Sequence, residues 1–293
     1  MKNIPFVSVV IPFRNNGKDA SECIKSLLNQ TYPKNKYELI LVNNNSNDKS
    51  EKLIEPYLDK LILVDEKKIG RASARNRGIS VSKGEIIALI DSDCIADEDW
   101  VKKLASSFES NEVNVVAGEI KAYNPKTDIE IFYGQLLSQK KFLSEEFPYA
   151  GTANLAFRRY ISEEILFDTD FVFKEDVDFC WKLQEKGYKI NYQPKAIVYH
   201  KYVSTKLQLF KRFFLEGFYD LPLIKKNLVF LEKNKRLKRI DFNSYLNLIL
   251  KMTQLFSLNS DLNKTHLYLH ILIGIAKKIG FFCGSIRYQF IYL

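Results

Sequence analysis

Residues 82–94 read SKGEIIALIDSDC, and this stretch decides the fold. An apolar run, Ile86–Ile90, ends directly in Asp91-Ser92-Asp93. A short apolar run that stops at polar residues predicts a strand buried on both faces. Two aspartates spaced i and i+2 at the exit of a strand converge on one ion where the chain turns. Mg²⁺ and Mn²⁺ prefer such oxygen ligands, so the stretch predicts a divalent metal site.

The aspartate pair also has a structural interpretation. Aspartates favour turns and helix N-caps, and an Asp-x-Asp triplet by itself is a weak motif. Asp97 is better placed than the first pair to cap the helix that we predict over Asp97–Phe108. The metal hypothesis therefore depends on the rest of the chain.

The same alternation of apolar runs and helical spacing extends through the first 120 residues. Further strands are predicted at Val7–Ile11, Leu39–Val42, Leu61–Val64 and Val113–Val116. Helices are predicted between most of the strands, at Asp19–Gln30, Asp48–Leu58 and Arg71–Val81. Strands that alternate with helices predict βαβ units, hence an α/β fold with a mostly parallel, Rossmann-like central sheet and flanking helices.

The chain changes character near residue 200. Before it, a helix is predicted over Lys174–Lys186, followed by short strands at Lys189–Tyr192 and Ala196–Tyr199. After it, the pattern indicates helices alone, at 205–220, 223–236, 243–257 and 264–279. We therefore predict a catalytic domain over 1–203 and a helical extension over 204–293.

Ligands of parallel α/β sheets bind beyond the carboxyl ends of the strands. The residues in that position are Arg14-Asn15-Asn16, Asn43 to Ser46 and Asp91-Ser92-Asp93. None of these exits is a glycine-rich phosphate loop of the dinucleotide or P-loop type. The sequence therefore argues against a dinucleotide oxidoreductase and against a P-loop NTPase.

Three further groups are candidates for chemistry, each with a structural alternative. Glu175 and Asp176 offer a general base, although acidic residues also favour the first turn of a helix. Arg71 and Arg75 suit a phosphate or nucleobase, or else a solvated helix face. His200 ends a predicted strand, where it is either a ligand or a structural histidine.

Charge is unevenly spread along the chain. The net charge is +9, but residues 201–293 hold 16 Lys and Arg against 5 Asp and Glu. Such a surplus suits a phosphate-bearing partner, with a solvated helix face as the alternative. The uncharged stretch Thr265–Ala276 has 12 residues, fewer than the roughly 20 that a spanning helix needs, so we predict no transmembrane helix.

Neither the cysteines nor the N-terminus suggests secretion. The four cysteines are dispersed, without a C-x-x-C pair, which argues against a disulfide framework or zinc site and fits a reducing cytoplasm. The apolar run in Met1–Phe13 contains two prolines and no small-residue cleavage site, so we expect no signal peptide.

Taken in order, the motifs resemble family 2 glycosyltransferases of the GT-A fold. The resemblance covers roughly the first two thirds of the chain. It is carried by VSVVIPFRN at 7–15, SLLNQTYP at 26–33, ELILVNNNSND at 38–48, GRASARNRGI at 70–79, SKGEIIALIDSDC at 82–94, GTANLAFRR at 151–159, KEDVDFCWKLQEKGYKI at 174–190 and AIVYHK at 196–201.

The resemblance implies a role for each matching position. Asp176 is expected to be the catalytic base, beside Glu175, and Mn²⁺ or Mg²⁺ to be held by Asp93 with Asp91 and His200. The acceptor side of the pocket is expected at Gly151, Thr152 and Asn154. The residues expected to bind the donor are Pro12, Arg14, Asn15, Asn43, Arg71, Arg75, Asp91 and Ser92.

The resemblance also implies an inverting single displacement from a nucleotide-diphosphate sugar. One base suffices for such a reaction, and no covalent nucleophile is needed. Many members carry Asp where this chain has Asn43. An amide both donates and accepts hydrogen bonds, so recognition of the base can survive, and a UDP-sugar is the default donor.

The C-terminal segment resembles the extensions of members that act on lipid-linked or membrane-associated glycans. Lys233–Arg239 contains five basic residues in seven, and Phe213, Phe214, Phe218 and Tyr219 precede it. Such a surface can lie on an anionic bilayer, although the aromatic residues also suit a core. We expect a cytoplasmic, peripheral enzyme at the inner membrane face that extends a surface glycan.

Two other functions are weighed. A sugar nucleotidyltransferase also uses an α/β nucleotide domain and Mg²⁺, but it usually carries a glycine-rich signature where this chain has Pro12-Phe13-Arg14-Asn15. A non-catalytic membrane-surface protein requires a decayed site, whereas every expected acidic position is intact. No nucleic-acid-binding motif is present, so nucleic acid is not an expected partner.

Overall fold

The computed structural model of the chain describes residues 4–233, 242–254 and 261–289. The chain separates into two compact units. The first comprises residues up to 124 together with 134–201, and the second comprises 125–133 together with residues from 202 onward. Residues 125–133 thus join the second unit, although the sequence analysis placed them in the catalytic domain. The predicted functional domains, 1–203 and 204–293, stay a prediction.

The first unit is built on one mixed sheet of eight strands. The strands are β1 (Val7–Phe13), β2 (Tyr37–Asn43), β3 (Ile62–Asp65), β4 (Ile86–Leu89), β5 (Cys94–Ala96), β6 (Val115–Ala122), β7 (Leu155–Arg158) and β8 (Ile190–His200). Their order in the sheet is β3-β2-β1-β4-β7-β6-β8-β5. The predicted α/β fold is confirmed, since all five strands predicted in the first 120 residues are present.

The parallel half of the sheet brings its polar exits to one edge. β1 pairs in parallel with both β2 and β4, and β2 pairs in parallel with β3. In this register Phe13 lies opposite Asn43, and Asn43 lies opposite Asp65. Beyond β4 the sheet is mixed, because β7 runs antiparallel to its neighbours β4 and β6.

Helices cover the sheet in the first unit and make up most of the second. They are α1 (Gly17–Leu28), α2 (Ser50–Ile54), α3 (Arg71–Val81), α4 (Trp100–Ser107), α5 (Asp128–Leu136), α6 (Gln139–Leu143), α7 (Glu175–Glu185), α8 (Lys206–Lys226), α9 (Leu228–Lys233), α10 (Phe242–Gln254) and α11 (Asp261–Tyr288). The predicted bounds of α3 are confirmed to the residue.

The structure corrects two local predictions. The short strand β5 follows the aspartate pair, so α4 begins at Trp100 and its N-cap is Asp99, not Asp97. The two strands predicted at Lys189–Tyr192 and Ala196–Tyr199 are one strand, β8, whose pairing with β6 shifts register between Gly118 and Glu119. A bulge of this kind breaks the alternation that the sequence pattern relies on.

The core follows from the composition of the strands. Every residue of β1 is buried, and so is every residue of β4. This matches the continuous apolar runs that parallel strands need when helices cover both faces. Cys23, Cys94 and Cys180 are buried and unbridged, as expected of small core residues.

The second unit differs from prediction in its helix bounds. α8 continues through Pro222, and α11 runs to Tyr288, well beyond the predicted end at residue 279. Lys264–Tyr288 is long and apolar enough to cross a membrane, with 28% of its most apolar window buried. The uncharged stretch of 12 residues, Thr265–Ala276, lies inside this helix, which continues through Lys277 and Lys278. Most of the basic stretch Lys233–Arg239 lies outside the described residues.

Candidate active site

The exits of β1 and β2 are tied together by Asn15. Its backbone N–H donates to Ser46 Oγ at 3.1 Å, and its side chain exchanges two hydrogen bonds with Asn47. Asn15 adopts a left-handed φ of 53°, which Asn tolerates better than most residues. Pro12 is buried within β1, and Arg14 is exposed at the turn. These hydrogen bonds give Asn15 a role in holding the turns after β1 and β2 together.

Asn43 at the end of β2 is buried, and its amide orientation is fixed. The amide nitrogen donates to Glu51 Oε1 at 2.6 Å and to Asp65 Oδ1 at 3.1 Å. The amide oxygen accepts from the N–H of Ser46 at 3.0 Å. Both amide protons are therefore engaged by carboxylates, which leaves only acceptor capacity on Asn43 for a ligand.

Ser92 is the buried member of the Asp-Ser-Asp exit, and its hydroxyl accepts from Asn16 Nδ2 at 2.7 Å. The preceding Asp91 accepts from Arg75 Nη2 at 2.8 Å. Burial opposes ionisation of Asp91, but the Arg75 guanidinium, helped by His200 and Arg71, holds the pKa of Asp91 below its usual value. Asp91 is therefore an ionised carboxylate that already has a cation partner.

Arg75 connects the β4 exit to the first turn of α7. Its side chain is 1% exposed and reaches Glu175 Oε1 through Nη1 at 2.7 Å, while Nη2 holds Asp91. Burial disfavours the charged guanidinium, but the two carboxylates hold the pKa of Arg75 above its ordinary value. Arg71 lies 3.3 Å from the same Glu175 oxygen through Nε and is 42% exposed. One arginine is thus enclosed, and the other is partly exposed.

The two acidic residues that open α7 have opposite electrostatic environments. Burial opposes the charge of Glu175, which is 2% exposed, but Arg71 and Arg75 hold the pKa of Glu175 below its usual range. Burial and the neighbouring Glu175 charge raise the pKa of Asp176. Asp176 accepts only from the backbone N–H of Val177 among the described hydrogen bonds. Of the two carboxylates, Asp176 has the basicity that proton transfer needs.

Asp93, Cys94 and His200 form a cluster in which one potential ligand atom of each lies within 4.8 Å of the others. Asp93 Oδ1 is 3.5 Å from His200 Nε2, and Cys94 pairs with His200 across β5 and β8. Burial raises the pKa of the Cys94 thiol well above its ordinary value, and burial, opposed by His200, also raises the pKa of Asp93. Of the three side chains, the carboxylate of Asp93 and the imidazole of His200 are the donors that Mn²⁺ or Mg²⁺ prefers over a thiol.

The His200 ring is oriented by a second contact. Its Nδ1 lies 2.8 Å from the carbonyl oxygen of Lys201, which can only accept a hydrogen bond. The proton of a neutral ring is therefore on Nδ1, and the lone pair of Nε2 faces Asp93. This is the arrangement by which a backbone carbonyl orients a metal-binding histidine. Asp91 lies outside the cluster and is held on Arg75 instead.

Lys201 is a residue that the sequence analysis missed. Its ammonium group donates to Asp19 Oδ1 at 2.7 Å and to Glu22 Oε2 at 2.6 Å on α1. The two bonds anchor the end of β8 beside the cluster of Asp93 and His200. The signal was its position directly after His200, but a surface lysine carries no pattern that predicts a partner 179 residues away.

Asn154 is wholly engaged within the protein. Its oxygen accepts from Trp100 Nε1 at 2.8 Å, and its nitrogen donates to the carbonyls of Glu119 at 2.8 Å and Ala196 at 2.9 Å. Gly151 exchanges two hydrogen bonds with the side chain of Gln139. Asn154 therefore holds β6, β8 and α4 in place, and Thr152 is buried beside it, while their predicted role on the acceptor side stays a prediction.

Comparison with known proteins defines the class of this enzyme. The family model described as Glycosyl transferase family 2 matches residues 8–166. Glycosyltransferase AglE of Haloferax volcanii is 30% identical over 204 residues, which is 67% of each chain. A Methanococcus voltae enzyme that acts on dolichyl N-acetyl-alpha-D-glucosaminyl phosphate is 26% identical over 66% of this chain and 65% of its own.

Solved structures agree on the fold. A mannosyltransferase from Pyrobaculum calidifontis, in complex with GDP-Man and Mn²⁺, superimposes with a TM-score of 0.65 at 18% identity, covering 94% of this chain and 88% of its own. The protein is therefore a glycosyltransferase with a mixed α/β fold of the GT-A type. It belongs to glycosyl transferase family 2.

Proposed function

We propose that the protein is a metal-dependent inverting glycosyltransferase that moves a sugar from a nucleotide-diphosphate donor to a hydroxyl of a glycan or lipid-linked acceptor in surface polysaccharide synthesis. One observation carries the proposal. Arg75 binds Asp91 at the metal-side strand exit and Glu175 in the first turn of α7, and this arrangement leaves Asp176, with its raised pKa, as the base.

The donor atoms at the β4 exit fit Mn²⁺ or Mg²⁺. Asp93 supplies a carboxylate oxygen, and His200 supplies Nε2 with its lone pair toward Asp93. A divalent ion held there would neutralise the diphosphate leaving group. The Mn²⁺ and GDP-Man of the Pyrobaculum neighbour support this assignment. Asp91, fixed on Arg75, is placed to contact the ribose or diphosphate through its remaining acceptor capacity.

The proposed reaction is a single displacement. The acceptor hydroxyl oxygen bonds to the anomeric carbon of the sugar while the bond from that carbon to the diphosphate oxygen breaks. The diphosphate leaves with the electron pair, and the proton of the hydroxyl passes to Asp176. Glu175 cannot share this role, because its low pKa leaves it a weak base and both arginines engage it.

The hydrogen bonds of Asn43 bear on which nucleobase the sugar donor carries. The carboxylates of Glu51 and Asp65 occupy its amide nitrogen, so Asn43 presents only its oxygen to a ligand. An acceptor oxygen is what the N3–H of uracil requires, which keeps a UDP-sugar as the default donor. The half-exposed Arg71 guanidinium is the cation best placed to reach donor phosphate.

The acceptor and the location of the enzyme complete the proposal. The name of the Methanococcus relative specifies a dolichyl-phosphate-linked sugar, which supports a lipid-linked acceptor for this chain. The basic surplus of residues 201–293 supports contact between 204–293 and an anionic membrane surface at the inner, cytoplasmic face. The enzyme would then meet its lipid-linked acceptor at that surface.

The test compares Asp176→Asn with Asp59→Asn, which changes an exposed aspartate of the short 3-10 helix before β3. Sugar transfer is measured from a panel of nucleotide sugars with Mn²⁺, together with the affinity for the donor. We expect Asp176→Asn to bind donor normally and to lose transfer by about 10²- to 10⁴-fold, while Asp59→Asn stays unchanged. Turnover that persists in Asp176→Asn excludes it as the base.

A further inference from the structure

α11 presents a stripe of exposed apolar side chains along one face. Ile279 is 44% exposed, and Phe282 and Ile286 are each 65% exposed. The spacing i, i+3 and i+7 places the three on the same side of a helix. Large apolar side chains are exposed singly on most proteins, but three in one helical row form a surface that lacks a covering partner among the described residues.

The opposite side of α11 is locked against α8 by glycines. A Cβ atom added to Gly280 would lie 2.0 Å from the carbonyl oxygen of Phe214, and one added to Gly284 would lie 2.5 Å from that of Phe218. On α8, a Cβ at Gly217 would lie 2.1 Å from the carbonyl oxygen of Lys277. The two backbones therefore touch, and α11 cannot rotate to bury the exposed row. Small residues at such crossings are how helices pack together in lipid.

The aromatic residues of α8 lie in this helix pair and do not form the exposed surface. Phe213 is buried, Phe214 and Phe218 stack with ring centroids 6.1 Å apart, and Phe218 meets Tyr288 of α11 at 5.6 Å. The sequence analysis offered these rings either as a membrane surface or as a core. Phe213 is part of the core of the second unit, Phe214 and Phe218 are half-buried in the same helix pair, and α11 carries an exposed apolar row.

Basic residues border the row. Lys278 directly precedes Ile279, and Arg287, which is exposed, directly follows Ile286. Lys277 is not among them, since its ammonium lies 3.1 Å from Glu216 and over the ring of Phe213. Apolar side chains flanked by Lys and Arg, on a segment with 16 basic and 5 acidic residues, match an anionic lipid surface and oppose a second copy of the same basic segment.

We propose that Ile279, Phe282 and Ile286, the insertion stripe, enter the boundary between headgroups and acyl chains of an anionic bilayer. The proposal deepens the membrane contact proposed above and does not depend on sugar transfer. It differs from a purely electrostatic contact because the apolar row supplies the binding, while the exposed Arg287 and the basic surplus of residues 201–293 select anionic lipid. Binding by the stripe therefore resists salt.

The experiment uses the full chain and flotation with vesicles of phosphatidylcholine, alone or mixed with phosphatidylglycerol. The test variant is Phe282→Ser with Ile286→Ser, and the control is Leu53→Ser, a 50% exposed leucine of α2 in the first unit. All three positions are exposed, so folding is preserved. We expect the double variant to lose binding to the mixed vesicles by tenfold or more and Leu53→Ser to bind as wild type.

The salt dependence of vesicle binding and the depth of residue 282 in the bilayer distinguish insertion of the stripe from electrostatic adsorption. In about 1 M salt, where charges are screened beyond roughly 3 Å, we expect most wild-type binding to persist. We expect brominated acyl chains to quench the fluorescence of the tryptophan introduced by Phe282→Trp, and not that of the tryptophan introduced by Leu53→Trp. Loss of binding in high salt, equal binding by the double variant, or an unquenched Phe282→Trp would overturn the proposal.

Two further readouts keep the inference separate from the function. Transfer to a soluble acceptor should be unchanged in the double variant, because the stripe lies outside the catalytic unit. If the double variant instead turns a wild-type dimer into a monomer without changing vesicle binding, the stripe is an interface between copies and the proposal is wrong. Loss of transfer by Asp176→Asn bears on the enzyme alone.

Discussion

Replacing Arg75 with Met tests how the active site is held together. The side chain is 1% exposed and binds Asp91 at 2.8 Å and Glu175 at 2.7 Å. Met keeps much of the volume but removes the hydrogen-bonded cation of Asp91 and leaves Glu175 with the half-exposed Arg71 alone. Removing one partner of a buried ion pair costs about 3–5 kcal/mol, so we expect the free energy of unfolding to fall by about that amount at neutral pH.

The pH dependence of this loss has a definite sign. Arg75 holds the pKa values of Asp91 and Glu175 below their ordinary values, so its stabilisation is present above the unfolded pKa values, about 4, and is lost as pH falls through the folded values. The difference between wild type and Arg75→Met should therefore be largest at neutral pH. It should shrink as the pH approaches 4 and the two carboxyls of the variant protonate.

Urea denaturation at several pH values measures both effects, with Arg71→Met as the matched control. Arg71 lies 3.3 Å from the same Glu175 oxygen but is 42% exposed, so its loss should cost no more than about 1 kcal/mol. Adding Glu175→Gln to Arg75→Met removes one orphaned charge and should recover part of the stability. If Arg75→Met costs no more than Arg71→Met, the carboxylates are not held as argued.

Three further perturbations follow from the same geometry. Because the pKa of Asp176 is raised, a pH–rate profile should show kcat/KM falling on the acid side at a pH above the pKa of an ordinary aspartate. A fall at or below that ordinary pKa contradicts the prediction. Asn154→Ala leaves the buried N–H of Trp100 without its acceptor and should lower the free energy of unfolding, measured with heat or urea, by about 1–3 kcal/mol. A change near zero, as expected for an exposed residue, would count against the structural role of Asn154. Lys201→Met breaks the two hydrogen bonds that tie the end of β8 to Asp19 and Glu22 of α1, and it should weaken Mn²⁺-dependent nucleotide binding without a comparable loss of stability. Unchanged affinity removes Lys201 from the site.

The sequence was sufficient for the parts of the fold that repeat. Apolar runs and helical spacing placed β1 to β4, β6 and the bounds of α3, because local periodicity reports which face is buried. β5 escaped because three residues, Cys94–Ala96, are too few to show a period, and this displaced the predicted cap from Asp99 to Asp97. The bulge in β8 likewise interrupts the sequence pattern, so two strands were predicted where the structure has one.

The sequence predicted which strand ends and which helix start carry the site residues, but not the hydrogen bonds and ion pairs that join them. Asp91, Asp93 and Asp176 were assigned because the ordered motifs resemble those of family 2 glycosyltransferases, whereas each acidic pair taken alone also has a structural interpretation. Arg75 was expected to bind the donor, and its buried pairing with Glu175 could not be predicted, since nothing local distinguishes a solvated arginine from one whose partner lies 100 residues away. Asn154 has the same difficulty, with hydrogen-bond partners from three distant segments.

The most direct test of the central claim is calorimetric titration of nucleoside diphosphates with and without Mn²⁺, into wild type and Asp93→Ala. We predict that one nucleotide binds wild type far more tightly with Mn²⁺, and that Asp93→Ala loses the metal-dependent part while keeping its fold. Metal-dependent affinity that is unchanged in Asp93→Ala would contradict the assignment of Asp93 and His200 as the metal site.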